Sequence, residues 1–304
     1  MKIKTPTDIK FKNYHSQLLK HLRLKGLQAK TIEAYERSLK RIYIYFNGNI
    51  ENLTTNQMLD YFDQLLSSHS WSAVKLDLYG LRFFTLHILN KPWENVPLIK
   101  PPKTSRIPGI VTISQAQSIF SATKVLSYKV IFFTLYSMGL RLSEGINLKV
   151  SDIDGIRKRV HIRNAKGNKD RLIPISDLTL FVLRKFWLTH QHPEFIFPNR
   201  KKTRNKAYQA TSPLDRGGVQ KTLSLVVKSI GLKKKITPHS LRHSYATHLL
   251  ESGVEINQLQ KIMGHVSILT TVKYTHLTTT NTSNSFEKIN VLMNGFSINW
   301  GKIK

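Results

Sequence analysis

The chain has 304 residues, enough for two domains that each bury a core of their own. Its 47 lysines and arginines against 18 acidic residues leave a net charge of +29, which points to a polyanion partner, nucleic acid before an anionic membrane surface. With no cysteine, disulfides, thiol nucleophiles and cysteine-ligated zinc are excluded.

Residues 1–12 carry Lys2, Lys4, Lys10 and Lys12 without the apolar run of a secretory signal. The longest apolar segment, near Val130 to Leu140, is too short to span a bilayer. A cytoplasmic, nucleoid-associated protein with no membrane partner is therefore expected. From about Tyr14 to Leu89 apolar residues recur at steps of three and four: Leu18, Leu19 and Leu22, then Ile32, Tyr35, Leu39 and Ile42, then Met58, Leu59, Phe62 and Leu65. A fourth set holds Val74, Leu78, Leu81, Phe84 and Leu86. Breaks at Gly26, at Asn47 to Asn49 and at Ser67 to Ser70 predict a bundle of four short helices, which taken alone reads equally as a helical interaction domain. The stretch from Asn90 to Gly109 holds Pro92, Pro97, Pro101, Pro102 and Pro108 among Lys100, Lys103 and Arg106, the composition of an extended basic linker. The expected division is an N-terminal helical domain over 1–98, a linker over 99–108 and a second domain over 109–304 with a tail from about 278.

Ser114 opens the next predicted helix, and a second, apolar one runs from about Tyr128 to Met138 before Gly139. The period then changes. Val160 to Arg163 alternates, Lys166 to Asp170 is a turn and Arg171 to Ile175 alternates again, predicting a β-hairpin with Lys166 at its tip. Asn199 to Lys206 holds Arg200, Lys201, Lys202, Arg204 and Lys206, read first as a solvated basic loop. Helix resumes around Gln220 to Ser229, and three more helices are predicted between Pro238 and about Leu277, with Gly253 and Gly264 as stops. Thr237 is placed as an N-cap and Pro238 as the first helical residue. His239 and Arg242, three apart, then share one face beside the positive helix end, while Leu241, Tyr245 and Leu249 form a packing face.

Arg141 within Ser137-Met138-Gly139-Leu140-Arg141-Leu142-Ser143-Glu144, then Lys166, His239 with Arg242, Gly264 with His265, and Tyr274 follow one another in the order and at the separations of a known family. On these motifs the chain resembles the tyrosine recombinases, the phage integrase and Xer-like group, over about Gly109 to Leu277 and more loosely across the N-terminal bundle. The resemblance implies a mainly α fold with a small antiparallel β-sheet: an N-terminal four-helix, SAM-like core-binding domain followed by an α+β catalytic domain. It implies that Arg141 and Arg242 clamp a scissile phosphate and that Lys166 protonates the leaving 5′-oxygen. His239 and His265 would assist proton transfer and hold a non-bridging oxygen, Tyr274 would be the nucleophile, and Glu144 would support the first arginine. The activity implied is site-specific recombination of double-stranded DNA through a 3′-phosphotyrosyl intermediate and a Holliday junction, without metal or nucleotide cofactor. The expected assembly is a homotetramer on two DNA sites, with accessory directionality factors as further partners.

The residue types suit that chemistry independently of the resemblance. Two always-protonated guanidiniums meet growing charge on phosphate oxygens with forked hydrogen bonds. A phenol, with an ordinary pKa of about 10, needs cationic surroundings or a base to attack near neutrality. Taken singly, Tyr274 reads as a packing residue, Arg141 as a helix-end cation, Lys166 as a turn lysine, His239 as a surface histidine, His265 as a cap and Glu144 as a surface partner of a nearby base. The joint match carries the reading, with a type IB topoisomerase-like enzyme and a catalytically retired DNA-binding protein as alternatives. His243, His248, His276 and Tyr245 fall off the pattern and are left as bystanders. Met138 stands where a threonine is common, a difference expected to affect packing only. In the tail, Phe286, Ile289, Val291, Leu292 and Met293 lie near helical spacing and are expected to dock on a neighbouring subunit, with an intramolecular cap as the alternative.

Overall fold

A computed structural model describes residues 8–98, 109–165, 169–199, 207–265, 267–272 and 285–297. The chain divides into two compact units, Met1–Thr104 and Ser105–Lys304. The expected linker, 99–108, and the basic residues 200–206 lie outside the described residues.

The first unit carries the four predicted helices: α1 (Ile9–Leu24), α2 (Ala29–Tyr45), α3 (Thr55–Ser68) and α4 (Trp71–His87). α1 starts before its apolar stripe because Asp8 caps it, the carboxylate accepting from the Phe11 amide at 2.8 Å. Thr54 and Gln57 close a capping box on α3. Phe11, Leu18, Leu22, Leu39, Ile42, Phe62, Val74, Leu81 and Phe84 are buried, so the four stripes face one another. Asp77 is fully buried among them. It accepts from Arg41 Nε at 2.9 Å and from the Tyr61 hydroxyl at 2.6 Å, which leaves no isolated charge in this core.

The second unit opens with α5 (Ile113–Ala122), capped by Thr112 in a box with Gln115, and α6 (Leu126–Ser137). α6 is buried continuously from Val130 to Ser137, which is why it reads as an unbroken apolar run rather than as a stripe. A short helix, α7 (Leu142–Ile146), precedes a three-stranded antiparallel sheet of β1 (Ile153–Asp154), β2 (Arg159–Ala165) and β3 (Lys169–Pro174) in that order. β2 and β3 are the predicted hairpin, with Val160 opposite Ile173 and Ile162 opposite Arg171. Helix α8 (Asp177–Trp187) has no counterpart in the sequence expectation. Ser176 caps it and it buries Leu180, Leu183 and Phe186 at steps of three. Next come α9 (Arg216–Ser229), α10 (Pro238–Glu251), α11 (Ile256–Met263) and the short α12 (Leu269–Val272). α10 begins as predicted, with Thr237 as cap and Pro238 in its first turn.

The described part of the tail forms α13 (Ser285–Asn294), which packs against α8 and α10 of the same chain. Ile289, Leu292, Met293 and Phe296 are buried in the unit's own core, and the Phe296 ring lies 5.2 Å from that of Tyr136 and 5.7 Å from that of Phe120. Lys288 Nζ donates to the Gly253 carbonyl at 2.9 Å, and Gln117 Nε2 donates to the Ser297 carbonyl at 2.6 Å. The expected docking on a neighbouring subunit thus gives way to the intramolecular cap. The physical reason is an apolar seam on the chain's own body that these side chains reach. Among the described residues, no helix is long and apolar enough to cross a membrane.

Candidate active site

Two glycine turns shape the site. α6 runs out at Gly139, whose φ of +59° lies in the left-handed region, and a Cβ there would come within 2.5 Å of Tyr245 Cδ1 on α10. The turn delivers Arg141 to the N-terminus of α7. There its backbone N–H donates to Glu144 Oε2 at 2.8 Å and its NH1 to Oε1 at 2.7 Å, while NH2 donates to the Gly264 carbonyl at 3.1 Å. Gly264 ends α11 with a φ of +61°, and a Cβ on it would meet Arg171 Cδ at 2.8 Å.

Arg242 projects from α10 with a side chain only 4% exposed. Its NH1 donates to the Gly139 carbonyl at 2.7 Å, and its NH2 donates to the Met263 carbonyl. The two guanidiniums expected to act together are therefore seated on the same pair of glycine turns, although they come from helices far apart in the chain.

Glu144 is the anionic centre of this arrangement, with a side chain 5% exposed. Besides Arg141, it accepts from Arg171 NH1 on Oε1 at 3.0 Å and from Arg171 NH2 on Oε2 at 2.9 Å, and Arg242 NH1 stands 3.7 Å from Oε2. Burial pushes its pKa up, but the hydrogen bonds and charge of Arg171, and then the Arg141 contacts, outweigh burial and hold it at about 2. Three guanidiniums around one carboxylate leave the cluster net positive in a mostly buried site, an arrangement suited to a further anion.

His265 directly follows Gly264. Its Nδ1 lies 2.9 Å from Thr271 Oγ1, and Gln260 Nε2 donates to its carbonyl at 3.1 Å. Burial, followed by the charges of Arg242 and Arg141, brings its pKa down to about 4, so the imidazole is neutral near pH 7. His239, in the first turn of α10, is lowered in the same sense by partial loss of solvent and then by Arg242, Arg141 and Arg216.

Arg141, Glu144, His239, Arg242 and His265 thus gather in one cationic field, while Lys166 and Tyr274 lie outside the described residues. Arg171 belongs to the same cluster and was missed. Its signal was its parity on β3: Ile173 and Ile175 point inward and are buried, whereas Leu172 is 59% exposed. A cation on the inward side of a strand calls for a buried anion. Among the bystanders, Tyr245 is fully buried and His248 Nδ1 sits 2.8 Å from the Tyr136 hydroxyl in the core. Met138 is 1% exposed, as a packing role requires. His276 is outside the described residues.

Comparison with known proteins adds an independent line. The pattern of the Phage integrase family matches residues 110–281, and that of the Phage integrase, N-terminal SAM-like domain matches residues 15–95. The chain is 32% identical to the tyrosine recombinase XerA of Pyrococcus horikoshii over 90% of its own length and 92% of that relative. It is 30% identical to the tyrosine recombinase XerD of Halalkalibacterium halodurans over 84% of its length and 90% of that relative. Among solved structures, its fold is similar to that of a lambda integrase tetramer bound to a Holliday junction, with a TM-score of 0.69 at 18% identity over 86% of this chain and 76% of that one. It is also similar in fold to the XerH site-specific recombinase bound to its difH substrate, with a TM-score of 0.66 at 17% identity over 90% of this chain and 88% of that one.

Proposed function

The chain belongs to the phage integrase family of tyrosine recombinases, and from that premise we propose that it cuts and rejoins double-stranded DNA at specific sites through a covalent 3′-phosphotyrosyl intermediate. The observation that carries the reading is the convergence of Arg141, Arg242 and His265 on the Gly139 and Gly264 turns around the buried Glu144. Charge that builds on the non-bridging oxygens of an attacked phosphodiester meets preorganised guanidiniums there, in a site with little water to compete. In the proposed reaction the Tyr274 phenolic oxygen forms the new bond to phosphorus and its proton leaves to a base. The bond to the 5′-oxygen breaks, and Lys166 returns a proton to that oxygen. His239 and His265, neutral near pH 7, are fitted to hold a phosphate oxygen and to relay a proton. A 5′-hydroxyl from a partner strand then attacks the phosphotyrosine and restores the phenol, so the number of phosphodiesters is conserved and no metal or nucleotide has to supply energy. Four subunits on two DNA sites, exchanging strands through a Holliday junction with accessory directionality factors, complete the reading, which places the protein on the nucleoid.

The test uses a duplex bearing the sequence that the chain itself selects from a pool of random duplexes, nicked so that cleavage traps the adduct. The wild-type chain is expected to form a covalent protein–DNA species. Tyr274→Phe should bind the same duplex about as well and form none, and Arg141→Ala should cleave about 100- to 1,000-fold more slowly. Binding by the wild type without any adduct would make the chain an accessory DNA-binding protein instead.

A further inference from the structure

Arg171 has no part in the chemistry above, yet its guanidinium is turned into the site and only 10% of its side chain is exposed. It spans both carboxylate oxygens of Glu144, at 3.0 and 2.9 Å, and its Nε donates to the Ile262 carbonyl at 3.0 Å. Its stem lies where a side chain on Gly264 would be, 2.8 Å from that residue's ideal Cβ position. One residue of β3 thereby joins the start of α7 to the end of α11.

The consequence appears in the partners of Arg141. Its NH1 rests on Glu144 Oε1, and its NH2 rests on the Gly264 carbonyl. The first of those groups is oriented by the Arg171 fork. The second belongs to the turn that Arg171 holds through Ile262 and by direct packing. Without the fork, the Glu144 carboxylate loses its tie to β3 and keeps the bonds to Arg141 itself, so it can shift together with the guanidinium it should hold, and both supports of Arg141 loosen.

We propose that Arg171 is a positioning residue for strand cleavage, acting through Glu144 and the Ile262–Gly264 turn to fix the guanidinium of Arg141. The inference rests on the cleavage chemistry proposed above. It does not make Arg171 a catalytic residue, because the fork is spent on protein groups. Arg171 also supplies the strongest influence that lowers the Glu144 pKa, which gives the role a signature in pH.

The experiment measures single-turnover adduct formation on the nicked duplex, binding to the same duplex uncut, and thermal melting for Arg171→Ala, Arg171→Lys, Glu144→Gln and the Arg171→Lys/Glu144→Gln pair. Arg171→Ala is expected to lower the cleavage rate about tenfold to hundredfold with DNA affinity within a few-fold of the parent. Arg171→Lys keeps the charge but not the fork and should recover only part of the rate. Its cleavage should also fall off at a higher pH than the wild type's on the acid side, because Glu144 then titrates more easily. The double variant should be no slower than the slower single one, since both act through one group. If Arg171→Ala does not fold, Arg171→Lys decides. A wild-type rate in a folded Arg171 variant, additive losses in the pair, or an unmoved acid limb would overturn the inference. Absence of adduct from the wild-type chain would instead overturn the chemistry on which it rests.

Discussion

Glu144 links the stability of the site to its charge. Its carboxyl is held at about 2 against an ordinary 4.5, so its contribution is fully present above pH 4.5 and is lost as the pH falls towards 2; at most it is on the order of 3 kcal/mol. Glu144→Gln should therefore melt at a lower temperature near neutrality, because it leaves buried guanidiniums without their carboxylate. Melting curves at falling pH should show the parent approaching the variant, and a gap indifferent to pH would mean that the carboxylate charge is not what holds the cluster. His265 offers a second titration. Followed by NMR, its ring should stay neutral down to about pH 4, and a midpoint near 6.5 would contradict the burial and cationic field described for it. At this scale the grouping of Arg141, Glu144, His239, Arg242 and His265 was legible in the sequence. His239 and Arg242 share a helix face by spacing alone, and the other members were recognisable through their motifs. Arg171 was not, because alternation identifies a strand without saying which face meets a carboxylate contributed by a distant helix.

Among the elements, α13 shows how packing overrides a plausible reading of sequence. Its apolar side chains predicted a docking helix, but periodicity names no surface to dock on, and the seam beside α8 and α10 belongs to the same chain. Three buried side chains on this helix, with Phe296 just past its end, at about 1.5–3 kcal/mol each make the segment part of the fold. Truncation before Ser285 is expected to abolish cooperative thermal unfolding of the second unit, and calorimetry showing a normal transition would return the tail to an intersubunit role. The turn after α11 is similarly intolerant. Gly264→Ala combines a left-handed backbone with a Cβ only 2.8 Å from Arg171 Cδ and should destabilise by about 1–3 kcal/mol in chemical denaturation. Helix α8 escaped the sequence reading although Ser176 caps it and its buried positions recur at helical steps. The start signal was present, since Pro174 and the pair Ser176-Asp177 separate the apolar residues of β3 from those of α8, but the reading passed over it.

For the molecule as a whole, the net charge of +29 predicts affinity for DNA that depends steeply on salt. Raising the salt from about 50 to 200 mM should weaken duplex binding by Tyr274→Phe roughly a thousandfold or more, since each neutralised phosphate releases counterions. A shallow slope in a filter-binding or anisotropy titration would mean that few of these cations reach the backbone. Charge, the division into two helical stretches, the helix caps and the order of the motifs were determined by the sequence on its own, because each depends on composition or on residues within a few positions of one another. The tertiary structure alone decided that Arg141, Arg171 and Arg242 close on one carboxylate, that His239 and His265 share their field, and that the tail folds back in cis. Those outcomes depend on backbone carbonyls and side chains brought together across long separations, and no local spacing encodes the distance between them.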